Sequence, residues 1–294
     1  MRMGLALPQY GPALADARGL RKFASSSEEI GYDTLWCGDR LFTPVTPDTA
    51  YPGGDYRPYL ERIARGAEPF TLVATAAAVT ERVRFNFSTL NAPVHEPVQL
   101  ARTLTTLDFL SDGRMNAGFG LSWMRDEYDA VGLSWAQRGR RLDDILDFLA
   151  KWWTTNPVSF ESQAVSVPPT RVDLRPVQPG GPPIWLGGAS APAFARIGRR
   201  AVGWLGFDRV PQEFLAPLWE VARRAADDAG RDPQALQSAV RVNVDPGESP
   251  GEVAARVERV REAGADEVVV DYLFASSSVD ETLDLALELM ARQR

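Results

Sequence analysis

Eight short apolar, β-rich runs recur along the 294-residue chain, and longer segments of helical period separate them. The runs are Met3–Pro8, Thr34–Asp39, Val83–Thr89, Met115–Gly120, Ile184–Gly188, Ala201–Phe207, Ala239–Asp245 and Glu267–Leu273. Strands that are apolar on both faces and alternate with amphipathic helices imply a parallel sheet covered by helices. Eight such units close naturally into a (β/α)8 TIM barrel, here an α/β fold of one domain over residues 1–294. A doubly wound open sheet would more typically show a glycine fingerprint after its first strand, and Pro8-Gln9-Tyr10-Gly11-Pro12 is not G-x-G-x-x-G. The helical stripes are clear. Leu20, Phe23, Ala24 and Ile30 stop at Gly31, a good residue to follow a helix. Leu142, Ile145, Leu146, Leu149, Trp152 and Trp153 form a cleaner stripe, and Val253, Val257 and Val260 another before Gly264. Leu283, Ala286, Leu287 and Met290 close the chain.

Two stretches depart from this alternation. Residues 40–69 follow the second strand, are rich in Pro, Gly and Tyr, and have the length of a functional lid on the C-terminal face. Residues 154–183 alternate at Val165, Val167, Val172 and Leu174 between Pro168-Pro169 and Pro179-Gly180-Gly181-Pro182-Pro183. They are expected to form an extended or hairpin insertion between the fourth helix and the fifth strand.

Composition narrows the chemistry. The chain holds one cysteine, Cys37, and one histidine, His95, so no intramolecular disulfide, multi-cysteine metal site or two-histidine metal centre can form. Any difficult reaction must rely on other side chains or on a bound organic cofactor. With 32 Lys+Arg against 39 Asp+Glu, the net charge of −7 argues against nonspecific binding to nucleic acid or an anionic membrane. No run of about 18 apolar residues reads as a membrane span. Pro8, Gln9, Gly11 and Pro12 interrupt the apolar core a signal peptide would need, and the protein is expected in the cytoplasm.

In a barrel of this kind the active site lies at the C-terminal strand ends. Gly187-Gly188-Ala189-Ser190 opens a helix there, with Ser190 as N-cap and Pro192 in the first turn. Free N–H groups at that point suit a phosphate, and a tight strand-to-helix turn would need the same glycines. Gly118-Phe119-Gly120 with Ser122-Trp123 is a second glycine-rich end, open either to a ligand or to barrel packing. Asp39-Arg40 is either a structural ion pair or a charged contact to a polar ligand. His95 is a loop histidine, either catalytic or simply an exposed polar side chain. Trp36, Tyr51, Tyr56, Tyr59 and Trp123 can line an aromatic pocket, although Trp36 sits within a strand and equally suits the core.

Taken together the strand ends resemble the luciferase-like monooxygenase superfamily. The resemblance rests on Leu35-Trp36-Cys37-Gly38-Asp39, Asn91-Ala92-Pro93-Val94-His95-Glu96-Pro97, Leu100-Ala101-Arg102, Leu107-Asp108 and Ser111-Asp112-Gly113-Arg114. It continues through Gly118-x-Gly120-x-x-Trp123-x-x-x-Glu127-Tyr128, Pro182-Pro183-Ile184-Trp185-Leu186-Gly187-Gly188 and Glu262-Ala263-Gly264-Ala265-Asp266-Glu267-Val268. Within that superfamily the chain is most similar to the single-component branch that uses coenzyme F420. The resemblance implies a homodimeric barrel that holds an isoalloxazine-type ring in its C-terminal mouth. Trp36, Asn91, Gly118 and Gly120 would help to form that mouth. Ser88-Thr89 would be the bulge supporting the ring, often through a non-proline cis peptide, and Gly187, Gly188, Ala189 and Ser190 would hold the cofactor phosphate. Asp39 and Arg40 would lie at the ring's polar edge.

Two positions depart from the family pattern. Arg40 stands where deazaflavin enzymes usually carry a histidine; it cannot shuttle protons at neutral pH but can stabilise negative charge on a reduced ring. Leu121 stands where sugar-phosphate-oxidising relatives carry a glutamate, which favours reduction or oxygenation of an apolar molecule over alcohol oxidation. The leading expectation is an F420-dependent oxidoreductase that transfers a hydride between the deazaflavin and a small apolar substrate. One alternative is a reduced-FMN-dependent monooxygenase using O₂ and a separate flavin reductase. The other is a barrel without a cofactor, acting as a binding protein or non-redox enzyme.

Overall fold

The computed structural model describes residues 1–14, 17–49 and 57–293. In chain order the elements are β1 (Arg2–Ala6), α1 (Ala17–Ile30), β2 (Thr34–Cys37), α2 (Arg57–Ile63), α3 (Pro69–Ala77), β3 (Arg84–Phe87), α4 (Pro97–Leu110) and β4 (Ala117–Phe119). Next come α5 (Arg125–Ala130), α6 (Arg138–Thr154), β5 (Val158–Glu161), β6 (Ser166–Thr170), β7 (Ile184–Gly187), α7 (Ala191–Arg200) and β8 (Gly203–Phe207). The chain ends with α8 (Gln212–Asp228), β9 (Gln237–Asn243), α9 (Pro250–Glu262), β10 (Glu267–Asp271) and α10 (Val279–Arg292). Eight of the strands form one parallel sheet in the order β3-β2-β1-β10-β9-β8-β7-β4. Between its two end strands, isolated parallel bridges at Phe85–Met115 and Leu90–Phe119 draw the sheet into a nearly closed barrel. The expected (β/α)8 TIM barrel is therefore present.

The two-residue period of each strand sorts its side chains. Leu5, Leu35, Phe85, Phe87, Leu186, Val240, Val242, Val268 and Val270 face outward, buried against the helices. Trp36, Trp185, Leu205, Ala239 and Val269 face inward and form a separate interior cluster. The Trp36 indole N–H donates to Thr34 Oγ1 at 2.7 Å and to Glu267 Oε1 at 2.9 Å, both within the barrel. Trp36 is thus a core residue whose ring floors the mouth. The same period puts Arg241 inward, two residues above Ala239.

Helix α1 ends at Gly31, whose φ of +107° is the left-handed geometry a helix stop favours. The insertion is a two-stranded antiparallel hairpin, β5 with β6. Pro168 and Pro169 lie inside β6, where a two-stranded edge leaves their missing N–H groups without consequence, and residues 172–174 form no strand. Residues 40–69 are not a bare lid: their second half folds as α2. Among the described residues no helix is long and apolar enough to cross a membrane.

Candidate active site

A cavity of about 380 Å³ opens at the C-terminal ends of the barrel strands. Its size suits a small-molecule or cofactor site. Asp39, Arg40, Trp36, Ser88, Thr89, Asn91, Gly120, Gly187, Gly188 and Ser190 all contribute to its wall, so ten of the twelve expected site residues converge there. Gly118 and Ala189 do not. A Cβ on Gly118 would lie 1.9 Å from the Phe87 carbonyl oxygen, so this glycine serves the close approach of β3 and β4. Ala189 is exposed beside the turn. Tyr59 and Trp123 line the cavity, whereas Tyr51 and Tyr56 lie outside the described residues.

The Ser88–Thr89 peptide is cis, as the resemblance implies. Its surroundings leave little space: a Cβ on Gly120 would meet Thr89 Oγ1 at 2.2 Å, and one on Gly187 would meet Thr89 Cγ2 at 2.9 Å. The two glycines let the ends of β4 and β7 approach Thr89, just after β3. Gly188 adopts φ +135°, a conformation that L side chains rarely adopt. Its carbonyl accepts the Trp204 indole N–H at 2.8 Å, which pins the turn from the side. Ser190 caps α7 with extended backbone and no side-chain hydrogen bond, so the first-turn N–H groups remain available.

The two charged residues at the end of β2 have separate partners. Asp39 is 5% exposed, and its Oδ2 accepts the Asn91 N–H at 2.9 Å and contacts His95 Nε2 at 2.8 Å. His95 does not line the cavity; it stands behind Asp39, edge-on to Phe70, and anchors the strand-three loop. Arg40 turns the other way. Its Nη1 donates to Ser122 Oγ and Glu127 Oε2, both at 2.9 Å, and its guanidinium lies 5.1 Å from the centre of the Trp123 ring. Glu127 is fully buried and also accepts from the Leu41 N–H, the Ser122 hydroxyl and the Asn91 amide. One carboxylate therefore ties together the loops after β2, β3 and β4. Burial opposes the charge on Arg40, but Tyr59 and Glu127 more than restore it, so the guanidinium stays protonated. Burial pushes Glu127 above the ordinary carboxyl range, with Arg40, Ser122 and the Leu41 N–H pulling the other way.

Three further residues belong to the site. Tyr10 lines the cavity with a buried hydroxyl that has no hydrogen-bond partner; burial and nearby Tyr59 and Asp39 hold it well above the phenol range. Arg241 reaches from β9 to donate to the Ser88 carbonyl at 3.0 Å, under the Phe207 ring, and its buried Nε–H is unpartnered. Asp271, at the end of β10, lies 3.9 Å from Arg241 and also lines the cavity. The sequence carried a signal for the last two. Each is a charge two residues beyond an apolar inward position, Ala239 for Arg241 and Val269 for Asp271.

A family model described as luciferase-like monooxygenase matches residues 2–288, and the chain belongs to that family. A protein of Mycobacterium tuberculosis H37Rv, described as uncharacterised, is 32% identical over 226 residues, which is 76% of each chain. Among solved structures, the monooxygenase RslO1 from Streptomyces bottropensis aligns over 99% of this chain and 98% of its own, with TM-score 0.80 and 21% identity. An F420-dependent secondary alcohol dehydrogenase in complex with an F420-acetone adduct aligns over 100% and 99%, with TM-score 0.78 and 15% identity. At such identities the two structures speak for the fold.

Proposed function

We propose that this chain is a coenzyme F420-dependent oxidoreductase that transfers a hydride between the deazaflavin and a small, apolar organic molecule. The observation that carries the reading is one cavity bringing together Ser88 and Thr89, just after β3, and the N-terminus of α7 at Gly187, Gly188 and Ser190, where no side chain bonds the first-turn N–H groups. These are the positions the family resemblance gives to the ring and to the phosphate. The residues fit such a group. Backbone N–H groups and a helix N-terminus suit the phosphate, the bulge offers a support, and Arg241 offers an unpartnered buried donor beside it. When bound, the deazaflavin supplies or accepts the hydride.

The chain's own residues do the rest. Leu7, Ile63, Leu121, Leu205 and Leu273 surround the cavity with apolar surface, which limits water at the reacting face. Burial keeps the Tyr10 hydroxyl protonated through the neutral range, so it has a proton to donate as well as an oxygen to accept. Arg40 holds the strand-two loop against the strand-four loop through Glu127. A second reading is a reduced-FMN-dependent monooxygenase with a partner reductase. Arg40 in place of the usual histidine, with its charge engaged by Glu127, favours that reading.

One titration tests both. Coenzyme F420 and reduced FMN are added separately to the apoprotein while quenching of its eight tryptophans is followed. Saturable F420 binding is expected. Binding of reduced FMN alone would transfer the assignment to the monooxygenase, and binding of neither would remove both. Ser190→Asp tests the phosphate end. Aspartate is as good an N-cap as serine, so the fold should hold while its charge repels the phosphate, weakening affinity by about tenfold or more. Unchanged affinity would mean the phosphate lies elsewhere.

A further inference from the structure

Two guanidinium groups line the cavity, and they differ in how far their charge is already neutralised. Arg40 is in a nearly dry ion pair, with its side chain 11% exposed and that of Glu127 0% exposed. Its charge is matched by one carboxylate and shared with Ser122 and Trp123. Arg241 has no such partner. Among the described residues the one carboxylate within ion-pair reach is Asp271 at 3.9 Å, which also holds the Leu273 N–H through Oδ1 at 2.9 Å. The Arg241 Nη1 bond goes to a neutral carbonyl, and the adjacent Nε–H, buried, goes to nothing. A buried donor left unmade costs about 1–3 kcal/mol, and an arriving acceptor recovers that cost. The carbonyl that Arg241 holds is that of Ser88, part of the bulge on which the ring is expected to rest.

We propose that Arg241, rather than Arg40, is the cofactor-binding cation that favours the reduced ring over the oxidised one. The inference rests on the functional reading above. Adding two electrons and one proton to the oxidised ring places one extra negative charge on its pyrimidine-dione portion. A guanidinium beside the bulge, with a free N–H and incomplete neutralisation, stabilises that charge in a site where little water competes. Arg40 keeps an architectural task, holding two loops together. This assignment also accounts for a chain without a histidine after Asp39: the charge comes from β9, three strands round the barrel from β2.

The test compares binding of oxidised and chemically reduced cofactor, under anaerobic conditions, to wild type and three variants. The probe is coenzyme F420 or FMN, whichever the wild type binds. Arg241→Met should weaken the reduced form about ten- to hundredfold and change the oxidised form by no more than about threefold. In a two-electron couple each tenfold change in that preference lowers the potential of the bound ring by about 30 mV. Arg241→Lys, which keeps the charge, should recover most of the preference. Asp271→Asn, which removes the facing charge and keeps the oxygen that holds Leu273, should tilt binding further towards the reduced form. The unfolding midpoint of each variant checks that the barrel is intact. Equal loss of both redox forms in Arg241→Met would overturn the proposal, because a bulge that merely sags affects both alike. No recovery in Arg241→Lys would overturn it too. A wild type that binds neither ring in either form overturns this inference together with the functional reading, whereas the variant outcomes leave that reading standing.

Discussion

Glu127 holds four partners with one carboxylate, and none of its side chain reaches solvent. Removing it would strand the Arg40 charge in a site where that side chain is only 11% exposed. Breaking a buried pair from one side typically costs about 3–5 kcal/mol, so Glu127→Ala should lower unfolding stability by that order in a denaturant titration. Glu127→Gln keeps one oxygen, for Arg40, Ser122 and Asn91, loses the acceptor of the Leu41 N–H, and should cost less. If Glu127→Ala cost under about 1 kcal/mol, as an exposed pair does, the network would not be the anchor inferred for it. At this scale the sequence was legible in kind but not in role. Residue types and motif order placed Asp39, Arg40 and Asn91 at the mouth, and Glu127 entered only as part of a family motif with no role. Which carboxylate pairs with which cation depends on how three loops cross, and spacing does not encode that. Asp39-Arg40 looked like a candidate ion pair by adjacency, yet neighbours along the chain diverge here, one to His95 and one to Glu127.

Elements were read well at their cores and less well at their ends, for a reason peculiar to this architecture. Expected strands such as Met3–Pro8, Thr34–Asp39 and Glu267–Leu273 run two residues beyond the observed Arg2–Ala6, Thr34–Cys37 and Glu267–Asp271. In these three the overshoot is on the cavity side, whereas Met115–Gly120 and Ala201–Phe207 begin two residues before the observed Ala117–Phe119 and Gly203–Phe207. Leu7, Pro8, Gly38 and Leu273 line the pocket, so apolar character continues after ladder pairing stops. Helix α2 was hidden because Pro, Gly and Tyr around it suggest a loop. Joints between elements carry their own energetics. Glu28, on α1, accepts the backbone N–H groups of Glu81, Arg82 and Val83 at 3.1, 2.6 and 2.8 Å and so fixes the turn that enters β3. Burial raises its pKa, but those three bonds more than offset the effect and leave it below its ordinary value of 4.5. A depressed carboxyl adds stability above its unfolded pKa and loses it as pH falls through the folded value. Glu28→Gln should therefore be less stable than wild type by about 1–3 kcal/mol at neutral pH. The gap should close as urea titrations are repeated below pH 4.5, the ordinary value of the group. A gap independent of pH would show that the charge contributes nothing.

For the whole barrel the decisive place is the seam. Seven of the eight strand junctions are continuous parallel ladders, and the eighth, β3 against β4, is held by two single bridges. The cavity opens beside it, at the Ser88–Thr89 bulge and the Gly120 turn, so the weakest junction and the site share residues. Gly118 sets how close the two strands come, because a methyl group there would meet the Phe87 carbonyl at 1.9 Å, Asn86 Oδ1 at 2.7 Å and Leu205 Cδ1 at 2.9 Å. The first of these is backbone and cannot swing away. Gly118→Ala should therefore force the seam apart and cost about 1–3 kcal/mol, the usual range for overpacking. It should also increase amide hydrogen exchange in β3 and β4 before the other strands, since local opening starts where pairing is thinnest. The same substitution at Gly139 provides the control. That residue lies in α6, with the nearest atom to an added methyl being Arg196 Nη2 at 3.5 Å, an ordinary contact. There alanine should raise stability by about 0.5 kcal/mol through helix propensity and a less flexible unfolded chain. Opposite signs from two glycine-to-alanine changes, read in one denaturant series, would separate seam geometry from any general intolerance of the barrel to added methyl groups. Equal and small effects at both positions would mean that β3 and β4 can part without loss, and that Gly118 is not what closes the barrel.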